Sequence, residues 1–132
     1  MAGTRIGAIG QGSLVFVCAE PDDDDAIADK LVDRLLRLRI FPDAAGKMNR
    51  SLIEVNGGLL VVSQFTLAAD VSSGHRPSFS GVAPAARARA LYERVVATAR
   101  ARHPKVESGA FGADMQVELV NDGPVTIPMY LR

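Results

Sequence analysis

Four apolar residues in a row, Leu59-Leu60-Val61-Val62, run straight into Ser63-Gln64-Phe65-Thr66. A strand with one wet face alternates apolar and polar residues, and this one does not, so it is predicted to be covered on both faces. The chain around it must therefore supply layers above and below, which fits an α/β architecture. At 132 residues it is predicted to be one domain, residues 1–132, with 48% hydrophobic and 23% charged residues. That composition excludes a disordered chain.

Around this strand the pattern is mixed. Residues 5–9 and 13–19 read as strands joined by Gly10-Gln11-Gly12. Asp22–Asp25 opens a helix that Asp22 or Asp23 can cap, and Ile27, Leu31, Leu35 and Leu38, flanked by Val32 and Leu36, carry it to about Arg39. Residues 41–46 read as a turn. Residues 52–55 and 59–64 read as a hairpin about Asn56-Gly57. After a polar loop at 69–82, a second helix runs from Pro84 to about Arg102, with Leu91, Val95 and Ala99 on one stripe beside Tyr92 and Val96. Strands are expected at 106–108, 115–120 and 125–131, the last limited by Pro128 to an edge.

The net charge is zero but unevenly placed. Residues 20–29 hold six of the 15 acids and no base. Residues 76–105 hold seven bases against Glu93 alone, either an ordinary solvated helix face or a surface for phosphates. Aromatic residues are only 5% and Trp is absent, which disfavours a base-stacking platform. No apolar run is long enough to span a bilayer. The single cysteine, Cys18, lies in an apolar run, reads as a small buried hydrophobe and fits a reducing, cytoplasmic setting.

Familiar catalytic sets are missing. His75 and His103 have no second His or Cys at ligand spacing, so no metal is expected. Gly7, Gly10 and Gly12 do not form a dinucleotide fingerprint, and no phosphate loop ending Gly-Lys-Ser/Thr occurs, so no cofactor is expected. Two segments stand out instead. Ser63-Gln64-Phe65-Thr66-Leu67 ends the buried strand, where freed N–H groups could meet a developing oxyanion, or where Ser63 and Thr66 merely satisfy the strand end. Asn121-Asp122-Gly123-Pro124-Val125-Thr126 reads equally as a plain turn between strands.

Together these segments resemble the two signature motifs of the D-aminoacyl-tRNA deacylase (D-tyrosyl-tRNA deacylase) family. Gly46-Lys47-Met48-Asn49-Arg50-Ser51, Arg76-Pro77-Ser78-Phe79-Ser80 and Gly109-Ala110-Phe111-Gly112-Ala113-Asp114-Met115 match the family pattern in the same order. The resemblance implies a three-layer α/β/β fold of mixed sheets and two main helices. It also implies hydrolysis of D-aminoacyl-tRNA, or of glycyl-tRNA such as glycine mischarged on tRNA-Ala, without cofactor. Ser63, Gln64, Phe65 and Thr66 would line the reacting centre, with backbone N–H donors at Gln64 and Phe65. Gly123 and Pro124, joined cis and reaching across a homodimer interface, would exclude L-amino acids, with Asn121, Val125, Thr126 and Met115 beside them. Arg76, Arg87 and Arg94 are the expected tRNA contacts. The family's first strand has no counterpart before Gly7, so a non-catalytic tRNA-binding dimer of the same fold is the alternative.

Overall fold

The computed structural model describes residues 3–132. Met1 and Ala2, part of the segment expected to start short of a family strand, lie outside the described residues. The elements are β1 (Gly12–Val17), α1 (Asp25–Arg37), β2 (Phe41–Pro42), β3 (Met48–Arg50), α2 (Leu52–Val55), β4 (Gly58–Ser63), a 3-10 turn (Phe65–Ala68), α3 (Ala85–Arg102) and β5 (Val106–Ser108).

β4 is the central strand of a parallel sheet ordered β1-β4-β5, and β2 pairs antiparallel with β3. Parallel neighbours require crossovers, which α1 and α3 provide. Leu59 and Val61 of β4 are fully buried in one core with Val32 and Leu36 of α1 and Leu91, Val95 and Ala99 of α3. Val62, on the other face of the strand, is also buried, and Leu60 is half-buried. The unbroken apolar run thus has the cause inferred for it.

At the start of the sheet Gly12 pairs with Gly58. A Cβ on Gly12 would stand 1.9 Å from the Gly58 carbonyl oxygen, and one on Gly58 would stand 2.7 Å from Ile9 Cβ. Only glycine lets the backbones close at this point.

Three expectations need correction. Residues 52–55 form the one-turn helix α2, not a hairpin strand. Ser51 Oγ accepts the Glu54 N–H at 3.2 Å, Glu54 Oε1 accepts the Ser51 N–H at 3.0 Å, and Asn56 ends the turn at φ 51°. Asn56-Gly57 is therefore a left-handed helix stop rather than a two-residue hairpin loop. In α1 the cap is Asp24, whose side chain accepts the Ile27 N–H at 2.9 Å, and the buried stripe is Ala28, Val32 and Leu36. That stripe follows the flanking Val32 and Leu36 rather than the line of Leu31 and Leu35, and the neighbouring Asp29 meets Arg94 and Thr98 of α3. Finally, residues 5–9, 115–120 and 125–131 form no strands. Gly7 approaches Ser108 O and Leu60 and so lies over the sheet face, while Val117, Leu119, Val120, Ile127 and Tyr130 remain exposed with no strand paired to them among the described residues.

Polar groups tie the layers together. The buried Tyr92 hydroxyl lies 2.8 Å from Gly109 O and 3.0 Å from Val61 O, and burial pushes its phenol up. His103 is buried with Nε2 2.6 Å from Gly57 O, and no metal-binding cluster occurs among the described residues.

The Arg94 guanidinium forks onto Asp29 at 2.9 and 2.7 Å, and this partner holds the Asp29 carboxyl below its ordinary value of 3.8. A carboxyl lowered on folding stabilises the native state above its unfolded pKa, and that contribution disappears as pH falls through the lowered one. Asp29→Asn is therefore expected to lose stability near neutral pH and to show a shallower further loss below about pH 4 than the parent chain. Urea unfolding at both pH values checks this. Parallel pH curves for the two proteins would contradict it.

Candidate active site

The C-terminal end of β4 positions the first segment. The Gln64 N–H donates to Val17 O at 2.8 Å, extending the β1-β4 ladder by one bond. The chain then coils into the 3-10 turn, whose bonds run from Leu67 N–H to Gln64 O at 3.2 Å and from Ala69 N–H to Thr66 O at 3.1 Å. No side chain caps this turn, so its opening N–H groups, at Phe65 and Thr66, have no partner within it. The expected donor at Gln64 is thus corrected. Its N–H is consumed by the sheet, and the N–H groups left without a partner in the turn are those of Phe65 and Thr66.

The Gln64 side-chain amide donates to Thr66 Oγ1. Ser63 and Gln64 are half-buried, while Phe65 and Thr66 face outward. Phe65 packs edge-on against Phe79, with ring centroids 5.0 Å apart. Phe79 is held by a loop closed where Asp70 N–H donates to Ser78 O at 2.7 Å and Ser78 N–H donates to Asp70 O at 2.9 Å. The same loop exposes Arg76. Behind the turn, the Cys18 thiol lies 3.6 Å from Phe65 O. Burial raises its pKa, which suits a packing group rather than a nucleophile. Sequence patterns could not have found this contact, since it arises only from the parallel β1-β4 register.

The second segment is a self-bonded corner. Asn121 Oδ1 accepts the Val125 N–H at 2.9 Å, and Asn121 Nδ2 donates to Thr126 Oγ1 at 2.9 Å. Gly123 has φ +134°, and the Gly123–Pro124 bond is cis. Both residues are exposed. Met115 lies nearer the first segment. Its sulfur is 2.9 Å from where a Cβ on Gly109 would stand, beside Val62 at 3.8 Å. The two segments share no hydrogen bond with each other among the described residues.

The arginines divide. Arg76 is exposed on its loop with no ion pair among the described residues, Arg87 donates to Asp23 O, and Arg94 is occupied by Asp29. Two surface grooves, of about 340 and 600 Å³, flank α3 and the start of the sheet, and Ser63–Thr66 lines neither.

The model of the D-Tyr-tRNA(Tyr) deacylase family matches residues 1–130. The chain belongs to that family. It is 70% identical over 129 residues to the D-aminoacyl-tRNA deacylase of Methylibium petroleiphilum, spanning 98% of this chain and 85% of that one. It is 65% identical over 127 residues to the enzyme of the same name from an Azoarcus species, spanning 96% and 84%. Among solved structures, the c-Myc DNA Unwinding Element Binding Protein superposes with a TM-score of 0.89 at 36% identity, covering 96% of this chain and 86% of that one. A probable eukaryotic D-amino acid tRNA deacylase superposes at 0.67 with 23% identity, covering 80% and 77%, which speaks for the fold alone. The deacylase family is one of hydrolases, and the chain is an enzyme of it. No helix among the described residues is long and apolar enough to cross a membrane.

Proposed function

We propose that the chain hydrolyses the ester of D-aminoacyl-tRNA, or of glycyl-tRNA including glycine mischarged on tRNA-Ala, and spares L-aminoacyl-tRNA. The observation that carries this reading is the uncapped turn after β4, where the Phe65 and Thr66 N–H groups open beside Ser63 and Gln64. Attack of water on the ester carbonyl builds negative charge on its oxygen, and fixed backbone N–H groups stabilise that charge without reorganising.

D and L residues differ by exchanging hydrogen and side chain at one carbon. A backbone wall at the hydrogen position of the D form leaves an L side chain no room, and the rejection needs no contact with any particular side chain. Glycine, with hydrogen on both sides, passes. In this reading the wall is Gly123–Pro124, held by Asn121, Val125 and Thr126 and donated by a second copy of the chain, with Met115 flanking the pocket. The exposed apolar side chains Phe16, Val117, Leu119, Val120 and Ile127 are groups that a second copy of the chain would cover in this reading. The cytoplasm is the proposed compartment, in keeping with one free cysteine.

Thr66 positions rather than attacks. A nucleophilic hydroxyl needs a base to take its proton, yet its oxygen accepts the Gln64 amide, and no acid or histidine side chain bonds to it among the described residues. The neighbouring ribose hydroxyl of the RNA helps orient or activate water. Release of D-tyrosine from D-tyrosyl-tRNA is the test. Thr66→Ala is expected to lower turnover about tenfold, the worth of one positioning hydrogen bond, and not to abolish it. Complete loss with fold and tRNA binding intact would make Thr66 the nucleophile. A parent chain that binds tRNA and releases nothing would be a non-catalytic binding protein instead.

A further inference from the structure

The 340 Å³ groove lies along the seam between α3 and the end of β5, bounded by Arg89, Glu93 and Arg100 on the helix and by Ser108, Gly109 and Phe111 at and after the end of β5. The bases of residues 76–105 are largely spent elsewhere. Arg94 pairs with Asp29 and Arg102 with Asp33, while Arg87 and Lys105 donate to the carbonyls of Asp23 and Asn56. Arg89 and Arg100 are the exceptions on α3, for among the described residues neither meets a carboxylate or a backbone carbonyl, Arg89 resting on a ring and Arg100 near a hydroxyl.

Both are pre-arranged. The Arg89 guanidinium lies 4.9 Å over the Phe111 ring, which leaves its edge N–H groups free to donate. An Arg100 nitrogen lies 3.5 Å from Ser108 Oγ. Eleven residues separate the two, about 16 Å along the helix and close to three full turns, so both project on one side. That span accommodates several consecutive phosphates of a nucleic acid strand. The groove also opens at the right end of the sheet. Ser108 is in register with Val61, two residues before Ser63, which sets it within on the order of 10 Å of the candidate active site.

We infer that this groove holds the phosphodiester backbone of the RNA strand carrying the ester, with Arg89 and Arg100 as its phosphate contacts. The inference rests on the deacylase reading above, and it moves the phosphate contact away from Arg94, whose charge is already answered. Glu93, in the same groove, opposes the phosphates and limits affinity.

The test compares D-tyrosyl-tRNA with D-tyrosyl-adenosine, which carries the ester but no phosphate, using the full chain. For the tRNA, Arg89→Ala with Arg100→Ala is expected to raise KM about tenfold with kcat nearly unchanged, the loss expected for charge-assisted contacts. The dependence of log kcat/KM on log salt becomes shallower by about one and a half units, the share of two phosphate contacts. Hydrolysis of D-tyrosyl-adenosine stays at the parent level. Glu93→Gln lowers KM for the tRNA and leaves the adenosine ester unaffected. An unchanged KM and salt slope, or equal loss on both substrates, would overturn the groove. If the parent hydrolyses neither substrate, the deacylase reading falls by itself. Equilibrium binding of uncharged tRNA to the same variants then decides the groove, with unweakened binding overturning it.

Discussion

Replacing Gly123 with alanine is expected to reduce kcat/KM on D-aminoacyl-tRNA about a hundredfold, the scale of a misplacement near 1 Å at a reacting centre. The residue sits at φ +134°, a conformation side chains of L-residues rarely adopt, and a Cβ there would stand 2.9 Å from Val125 Cγ2 and 3.1 Å from Val125 N. The Val125 N–H is the group Asn121 Oδ1 accepts. Relief of the clash thus pulls on the hydrogen bond that shapes the corner. Because the corner is exposed, the thermal midpoint should barely move. The relative rate on L-aminoacyl-tRNA should rise as the wall loosens. Parent-like activity and selectivity in this variant would remove the corner from the account.

The largest stability effect is expected from Leu59→Ala. Leu59 has no solvent exposure and stands on the middle strand, packed in one core with side chains of both long helices. Truncation there leaves a cavity that neighbours on three elements cannot all collapse to fill. The cost is about 3 kcal/mol, a substantial part of the roughly 5–15 kcal/mol that holds a typical domain folded. A drop in Tm on the order of 10 °C follows. Leu67→Ala, a leucine more than half exposed on the 3-10 turn, should change stability by less than about 0.5 kcal/mol and serves as the contrast. Equal shifts for the two variants would mean that the sheet does not organise the core as described.

The central strand and the second helix were legible because each has a pattern with a single physical cause. Leu59 to Val62 had to be covered on both faces, and Leu91, Val95 and Ala99 had to face inward together. Asn56-Gly57 misled because a left-handed residue serves a hairpin and a helix stop equally well. The Ser51 and Glu54 pair three residues apart was the signal that separates them. The line of the α1 stripe was invisible, since periodicity does not say which of two adjacent apolar rows, Leu31 with Leu35 or Val32 with Leu36, is the more deeply buried. At the site, the residue types of Ser63–Thr66 were evident, but the loss of the Gln64 N–H to Val17 depends on a parallel register that local sequence does not encode. The basic stretch misled in a similar way. Charge counts treat its arginines alike, whereas packing spends some on carboxylates and leaves others facing a groove.

The most direct test is kcat/KM measured on one tRNA charged in turn with D-tyrosine and with L-tyrosine. A backbone wall whose clash costs about 3 kcal/mol or more predicts a preference for the D ester of roughly a hundredfold or greater. Equal cleavage of the two esters by the folded chain would contradict exclusion by the Gly123–Pro124 corner.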